Sequence, residues 1–227
     1  MMRVVVAGAG RMGQAIANGL AGRDDMELIG TWRRGEDLAT LVAAADVVID
    51  FSLPDGTMQV LDAVTRYGKP LVCGVSGLED AQLARLDDAA EQVPLVYDRN
   101  MSLGVAVLEH SVREAARSLG SDFDIHIAEV HHVHKKDAPS GTALKLGEAV
   151  AEARGEVGTG SVSFESERRG EVPGDHDVRM QSATETLTFG HSVTTRQVFA
   201  DGAIRAARWV IGQAPGRYQM RDVLFGN

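Results

Sequence analysis

The chain has 227 residues, which allows one or two domains with a sizeable core. Its 23 basic and 32 acidic side chains give a net charge of −9, which argues against a nucleic-acid surface and means that an anionic ligand needs a local basic pocket. Cys73 is the only cysteine, which excludes an internal disulfide and favours a reducing, cytoplasmic location, and no apolar run is long enough for a membrane helix or signal peptide.

A glycine-rich loop follows the first apolar run, residues 4–7, which is typical of a buried parallel strand. Apolar residues at helical spacing come next, and this strand–loop–helix context of G-x-G-x-x-G predicts dinucleotide binding rather than a plain turn. The first glycine permits the tight turn, the second lets the backbone approach a pyrophosphate, and the third lets helix pack close to strand. The predicted cofactor residues here are Gly8, Ala9, Gly10, Arg11, Met12 and Gly13.

Two arginines end the second predicted strand, residues 26–32. An enzyme that uses NADH usually places an acidic residue there for the ribose hydroxyls, whereas guanidinium groups suit a 2′-phosphate. Arg33 and Arg34 therefore favour NADPH. Glu36 and Asp37 lie just beyond and could still reach a ribose, so NADH stays possible, and a charged surface turn is the structural alternative.

Strand–helix alternation continues to residue 101 and predicts a doubly wound parallel sheet. Strands are predicted at 47–52, 71–74 and 94–97, a short helix at 37–42, a turn at 53–57 before the next helix, and a helix at 79–92. Ligands of such sheets bind beyond the carboxyl ends of the strands. The loops 8–13, 51–54, 74–77 and 98–101 are therefore expected to line one cofactor crevice.

The alternation of strands and helices ends after residue 102, which predicts that a second domain begins there. A helix at 103–119, a strand at 123–131 and a helix at 140–153 are followed by period-two stretches around 162–164, 178–180, 187–189 and Val193, interpreted as antiparallel strands. Phe199 to Gly202 is expected to cap a last helix that could return to the first domain. The fold class is thus α/β, a Rossmann-like doubly wound parallel sheet (1–101 and 197–227) plus an α+β domain with a mainly antiparallel open sheet (102–196), a common surface for subunits to meet.

Residues 129–142 hold three of the seven histidines and two adjacent lysines, between a strand and a helix that Ser140 can cap. Such a loop suits an anionic substrate that must also be protonated. A metal site is an alternative, but no cysteine or well-placed carboxylate completes the ligand set, and Lys135 and Lys136 would repel a cation. A solvated basic loop is the other alternative.

With both loops in view, the chain resembles the 4-hydroxy-tetrahydrodipicolinate reductase (dihydrodipicolinate reductase) family of the diaminopimelate route to lysine. Residues 129–143 are similar to the family signature E-x-H-H-x-x-K-x-D-x-P-S-G-T-A. Further similar stretches are spread along the chain: Asp50-Phe51-Ser52, Pro54-Asp55-Gly56-Thr57, Gly74-Val75-Ser76-Gly77, Asn100-Met101-Ser102, Gly174-Asp175-His176 and Met220-Arg221-Asp222.

The resemblance implies reduction of a cyclic dicarboxylate imine by NAD(P)H in a homotetramer, without a metal. It implies that His131 is the proton donor and Lys135 the second catalytic residue, with substrate contacts from His132, Ser140, Gly141 and Thr142. Further cofactor contacts are implied for Phe51, Gly74, Val75, Ser76, Asp98, Arg99, Asn100 and Met101.

The chain also departs from the family pattern. The stretch between Arg33 and Asp46 is short, Arg33 stands where many members carry an acid, Asp98-Arg99 replaces a small or apolar pair, and Leu53 replaces a residue that is basic in some members. Two other functions stay open: another imine or amino-acid dehydrogenase, such as an aspartate dehydrogenase, and a non-catalytic dinucleotide sensor.

Overall fold

The computed structural model describes residues 1–226, which form two compact units: residues 1–103 with 196–226, and Gly104–Thr195. No helix in this described part is both long and apolar enough to cross a bilayer. In chain order the elements are β1 Met2–Ala7, α1 Arg11–Leu20, β2 Met26–Trp32, α2 Leu38–Ala44, β3 Val47–Asp50, α3 Pro54–Tyr67, β4 Leu71–Cys73, α4 Asp80–Ala90, β5 Pro94–Tyr97, α5 Leu103–Leu119, β6 Asp124–His131, α6 Gly141–Arg154, β7 Val162–Arg168, β8 Asp175–Gln181, β9 Thr186–His191, α7 Gln197–Val210, β10 Gly216–Tyr218 and α8 Met220–Phe225.

The first unit is built on six parallel strands in the order β10-β5-β4-β3-β1-β2. Helices α2, α3 and α4 pack on one face through a continuous apolar cluster, and α7 packs on β3, β4 and β5 beside α1. Strands β1 and β3 are apolar and inaccessible to solvent along most of their length, and each such Val or Ile contributes about 1.5–3 kcal/mol by burial. The predicted doubly wound parallel sheet is confirmed.

Two segments of this unit that were predicted to lie outside helices, a turn and a helix cap, are in fact helical. The residues expected to form a turn at 53–57 mostly belong to the first turn of α3, which begins at Pro54 after the N-cap Leu53. Proline suits this position because its fixed φ is helical and the N–H it lacks would have no partner there. Likewise Phe199 to Gly202 lie inside α7, which starts at Gln197, rather than capping it. Strand β10 and helix α8 were not predicted.

The second unit is a four-stranded mixed sheet in the order β7-β6-β8-β9. The pairs β6–β8 and β8–β9 are antiparallel as predicted, but β7 pairs with β6 in parallel, so the antiparallel prediction is wrong for that strand. The long connection through α6 returns the chain to the end of the sheet at which β6 begins, so β7 runs in the same direction as β6. Val193, expected in a strand, lies after the end of β9.

One face of this sheet changes from apolar to polar along β6. Ile125 and Ile127 point into a core made with α5 and α6 and lie opposite Met180 and Val178 of β8. Because alternate residues of a strand share a face, Glu129 and His131 continue the same row, and both are buried. Buried polar side chains are costly unless they form hydrogen bonds, so two buried ionisable residues at the end of β6 mark this part of the unit as a candidate functional site.

Candidate active site

In the first unit, four loops leave the sheet side by side at its carboxyl edge. The backbone ladder continues one residue past each strand: Gly8 N donates to Trp32 O at 2.9 Å, Phe51 N to Ala7 O at 2.9 Å, Gly74 N to Asp50 O at 2.9 Å, and Asp98 N to Cys73 O at 3.3 Å. The strand order places these loops next to one another, which is where doubly wound sheets bind their ligands.

A cavity of about 420 Å³ opens at this edge above β1, β2 and β3. Six of the predicted cofactor residues line it, together with two further residues of the loop 51–54 that was expected to line the crevice and two residues that were not predicted. The predicted ones are Gly8, Ala9, Gly10, Arg33, Arg34 and Phe51; the others are Trp32, Ser52, Leu53 and Gly56. The glycine loop that borders the cavity leads directly into α1, and a helix N-terminus in this position suits a pyrophosphate.

The remaining predicted cofactor residues do not line this cavity. They are Arg11, Met12, Gly13, Gly74, Val75, Ser76, Asp98, Arg99, Asn100 and Met101. Two of these glycines are needed for the shape of the cavity, because a Cβ at Gly13 would overlap Gly8 O and a Cβ at Gly74 would overlap the Phe51 ring. The absence of a side chain at Gly13 lets α1 lie close to β1, and its absence at Gly74 leaves room for the Phe51 ring that lines the cavity.

The loop after β5 is organised by a buried carboxylate. Asp98 accepts hydrogen bonds from Asn100 N at 3.2 Å and from Met220 N, at the start of α8, at 3.1 Å. Asn100 Oδ1 in turn accepts from Ser102 N at 2.9 Å. The side chain of Asp98 therefore turns inward and fixes the shape of the loop.

A second buried carboxylate lies beneath the cavity. Asp50, at the end of β3, accepts from Ser52 N at 2.9 Å, and burial raises its pKa despite this hydrogen bond. The neighbouring Cys73 thiol has its pKa raised well above the usual range, first by burial and then by the charge of Asp50. Both groups support the backbone at the strand ends and are inaccessible to solvent.

Both arginines at the end of β2 are exposed at the rim of the cavity. The Arg34 guanidinium lies 3.4 Å from the Asp55 carboxylate, in a pair so exposed that it contributes little to stability. The backbone N–H of Arg33 donates to the Glu36 carboxylate at 3.0 Å. Glu36 thus holds the β2–α2 turn, which leaves the two guanidinium groups as the positive side of the cavity.

In the second unit, His131 is held by a carboxylate two residues earlier on the same strand. Glu129 Oε2 accepts a hydrogen bond from His131 Nδ1, and both residues are buried. The other ring nitrogen faces Gly174, where a Cβ would lie 2.8 Å from His131 Nε2. Gly174 has φ of +151°, a conformation that favours glycine, so the space beside Nε2 is kept narrow but free of a side chain.

Arg168 ties this pair to the loop that follows. It is the register partner of His131 on the parallel strand β7, and its Nη1 donates to Glu129 Oε2 at 3.0 Å. Its Nε donates to the carbonyl of Lys135 at 3.3 Å and its Nη2 to the carbonyl of Asp137. One guanidinium therefore holds both the partner of His131 and the backbone of the His/Lys loop.

The pKa values of the pair follow from these contacts. Burial opposes ionisation of Glu129, but hydrogen bonds from Arg168 and His131 outweigh it and lower the pKa of Glu129. Burial lowers the pKa of His131, and the charges of Lys135 and Arg168 lower it further, against the opposing effect of Glu129. The structure therefore holds an ionised Glu129 beside a His131 that is neutral at pH 7.

His176 closes the site from β8. Its ring meets that of His131 edge-on at a centroid distance of 5.1 Å, and its Nε2 lies 3.2 Å from Ser140 Oγ. The same Ser140 oxygen accepts from Ala143 N at 3.2 Å and so caps α6, as predicted. Burial, followed by the nearby His131, lowers the pKa of His176 to about 3.

Lys135, the second predicted catalytic residue, and the remaining predicted substrate residues lie on the loop after β6 and at the start of α6. Lys135 is half-buried, with its Nζ 2.8 Å from the Asp137 carboxylate. Gly141 and buried Thr142 form the first turn of α6, the positive end of the helix dipole. His132 lies at the start of the loop, where its carbonyl accepts from Lys135 N at 3.1 Å. Within residues 1–226, no group of three or more His, Cys, Asp or Glu side chains is placed to hold a metal ion.

Sequence reasoning gave no role to Glu129, Arg168 or His176. Glu129 could have been found, because an acid two residues before a histidine on a strand shares its face. Arg168 and His176 depend on the pairing of β6 with β7 and β8, which no local signal predicts.

Comparisons with known proteins agree with these two units. Residues 2–101 match the family model of the dihydrodipicolinate reductase N-terminus, and residues 104–224 match that of its C-terminus. A 4-hydroxy-tetrahydrodipicolinate reductase from Alkalilimnicola ehrlichii is 41% identical, over 97% of each chain. The fold is similar to that of dipicolinate-bound dihydrodipicolinate reductase from Paenisporosarcina sp. TG-14 (TM-score 0.81, 22% identity, covering 99% of this chain and 100% of that one). Aspartate dehydrogenase from Thermotoga maritima shares the fold alone (TM-score 0.54, 12% identity, covering 92% and 96%). The chain belongs to the dihydrodipicolinate reductase family.

Proposed function

We propose that this chain reduces 4-hydroxy-tetrahydrodipicolinate, by way of dihydrodipicolinate, to tetrahydrodipicolinate in the diaminopimelate route to lysine. The observation that carries the proposal is the buried Glu129–His131 pair. Arg168 donates hydrogen bonds both to Glu129 and to the carbonyl of Lys135, and so connects the pair to the loop that carries Lys135. A proton donor and a cation held by one network suit the reduction of a dicarboxylate imine. The family match over both units supports the same reaction.

The glycine loop and the two arginines would hold the cofactor. The backbone of Gly8, Ala9 and Gly10 fits a pyrophosphate, and Arg33 and Arg34 fit a 2′-phosphate, which is why we propose NADPH as the preferred cofactor and NADH as the weaker one. When bound, the nicotinamide supplies the hydride. The loops at residues 74–76 and 98–101 are proposed to contact its distal half.

His131 is proposed to deliver the proton that balances the hydride. Its Nδ1–H donates to Glu129, so the donor atom toward substrate is Nε2, in the space that Gly174 leaves open. Neutral in the free protein, His131 must gain a proton when the substrate binds. The two substrate carboxylates favour this, because their charge offsets that of Lys135 and Arg168.

Lys135 and the start of α6 are proposed to bind the substrate carboxylates. Lys135 can exchange Asp137, whose carboxylate is largely exposed, for a substrate carboxylate, because the ammonium group then keeps a charge-assisted hydrogen bond of the same kind. Gly141 and Thr142 lie at the positive end of α6, and His132 borders the same loop. Ser140 is proposed to act by fixing this helix start.

We also propose that four copies assemble through the second unit. The face of its sheet opposite the helices carries His126, Ala128 and Val130 of β6 beside the exposed Asp177 and Arg179 of β8. An open sheet face of this kind is a common subunit contact. Light scattering coupled to size-exclusion chromatography measures the assembly, and a monomeric mass would contradict it.

The function is tested by following NADPH and NADH oxidation by absorbance while the synthase of the pathway generates the imine in place. Loss of absorbance that depends on the synthase is expected with both cofactors, faster with NADPH. Cofactor binding without turnover would favour a dinucleotide sensor. Turnover with oxaloacetate and ammonia, in the absence of the synthase, would favour an aspartate dehydrogenase.

A further inference from the structure

We propose that Glu129 is a positioning residue, which fixes the His131 proton on Nδ1 and stabilises the imidazolium that forms when substrate binds. The inference rests on the proposed role of His131 as proton donor. Glu129 would act through His131 without touching the substrate itself.

The geometry of the pair specifies one ring orientation. Glu129 and His131 share a face of β6, and the carboxylate is inaccessible behind the ring. Because an ionised carboxylate can only accept hydrogen bonds, the proton of the neutral ring must lie on Nδ1. That tautomer leaves Nε2, beside Gly174, as the atom that takes up and gives back the transferred proton.

The charges around His131 give Glu129 a second effect. In the described part of the chain, Lys135 from the loop and Arg168 from β7 disfavour a charged His131, and Glu129 is the group that favours it. His176 from β8 is uncharged near neutral pH, because its pKa is about 3. Removing the charge of Glu129 would leave His131 beside two cations with no opposing carboxylate.

Arg168 connects the Glu129–His131 pair to the loop that carries Lys135. The same guanidinium that pairs with Glu129 also holds the carbonyls of Lys135 and Asp137. The position of Glu129 therefore links the orientation of His131 to the backbone of the loop that carries Lys135. We expect a neutral amide at this position to keep the shape of the network and to lose its electrostatic effect.

The test is Glu129→Gln in the full chain, with kcat and KM measured from pH 5 to pH 9. We expect kcat at pH 7.5 to fall about 10- to 100-fold, part of the about 10²–10⁴ that general-acid catalysis contributes, with an unchanged KM for NADPH. The pH at which kcat falls on the alkaline side should move down by about one unit, since less imidazolium is present at a given pH.

Glu109→Gln is the matched control. Glu109 of α5 is as buried as Glu129 and is also paired with cations, Lys145 at 2.9 Å and Arg113 at 3.6 Å, but it has no contact with His131. We expect it to lower the melting temperature while keeping the wild-type pH profile. A similar shift of the profile in both variants, or in neither, would overturn the role of Glu129.

A second readout does not depend on activity. Nitrogen-15 NMR of the imidazole reports the tautomer and pKa of His131 in the free protein, and His131→Gln identifies its signals. We expect the Nδ1–H tautomer in the wild type and a lower His131 pKa in Glu129→Gln. An unchanged pKa and tautomer would overturn the inference even in an active enzyme. Absence of imine reduction by the wild type would instead overturn the proposed function and leave the NMR result to decide the role of Glu129.

Discussion

The cofactor cavity of the first unit and the His131 site of the second are built from different parts of the chain. The cavity lies at the ends of adjacent parallel strands, where glycines allow close approach, and it is lined by that loop backbone together with the side chains of Trp32, Phe51 and the two arginines. The His131 site is made by buried or half-buried side chains from β6, β7 and β8, which are joined by hydrogen bonds among Glu129, His131 and Arg168 and by the ring contact with His176. The difference means that the shape of the first site follows from the path of the chain, with charge added at its rim by two arginines, whereas the second site is built from paired ionisable side chains.

Buried ionisable groups in the two units also respond to acid in opposite directions. Asp50 in the first unit has its pKa raised by burial, so the folded chain takes up a proton more readily than the unfolded chain and is stabilised as pH falls. His176 in the second unit has a folded pKa of about 3, below the 6.5 that is usual for an exposed histidine. Between these values the unfolded chain binds a proton that the folded chain does not, so stability falls as pH falls.

The largest predicted effect follows from this contrast. Between pH 6.5 and pH 3.5, His176 alone should cost the second unit about 3.5 kcal/mol, or about two and a half decades in its opening equilibrium. The lowered pKa values of Glu129 and Asp137 act in the same direction, since their stabilisation is lost as pH falls through the folded pKa values. Hydrogen-exchange mass spectrometry, corrected for intrinsic rates, should show protection lost in β6 and β8 before β1 and β3.

His176→Gln supplies the control for this prediction. The amide can still reach Ser140 but has no proton to gain between pH 6.5 and pH 3.5, so the variant should lose protection less steeply in the second unit. Equal loss of protection in both units of the wild type would show that global unfolding, and not His176, governs the response to acid.

The same contrast explains what could be predicted from the sequence. The glycine loop and the strand ends follow from local patterns, so β1, β2, β4 and β5 were located closely and the cavity was expected at their carboxyl edge. The turn predicted at 53–57 failed because Pro and Gly also suit a helix start. The antiparallel prediction for β7 failed because strand pairing depends on the path of the chain through α6, and Arg168 therefore went unrecognised.

A second prediction concerns the loop charge in the second unit. Lys135→Ala should lower kcat/KM for the imine about 100-fold, because it removes a charge-assisted hydrogen bond of about 1.5–3 kcal/mol to a substrate carboxylate. Binding of NADPH, followed by fluorescence, should be nearly unchanged. The matched control is Lys136→Ala, which removes an exposed neighbouring lysine and should keep most activity. Equal loss of turnover and NADPH binding in Lys135→Ala would contradict the assigned role.

The smallest predicted effect concerns the rim of the cofactor cavity. Arg33→Asp combined with Arg34→Ala should move the ratio of kcat/KM for NADPH over that for NADH toward NADH by about tenfold, because a 2′-phosphate loses its charged partners while a ribose gains an acceptor. The exposed Arg34–Asp55 pair adds little to stability, so the melting temperature should stay near that of the wild type. Raised ionic strength should lower the wild-type preference as well, since exposed charges are screened. An unchanged ratio in the double variant would mean that this unit recognises its cofactor through backbone alone, and that both arginines are surface charge.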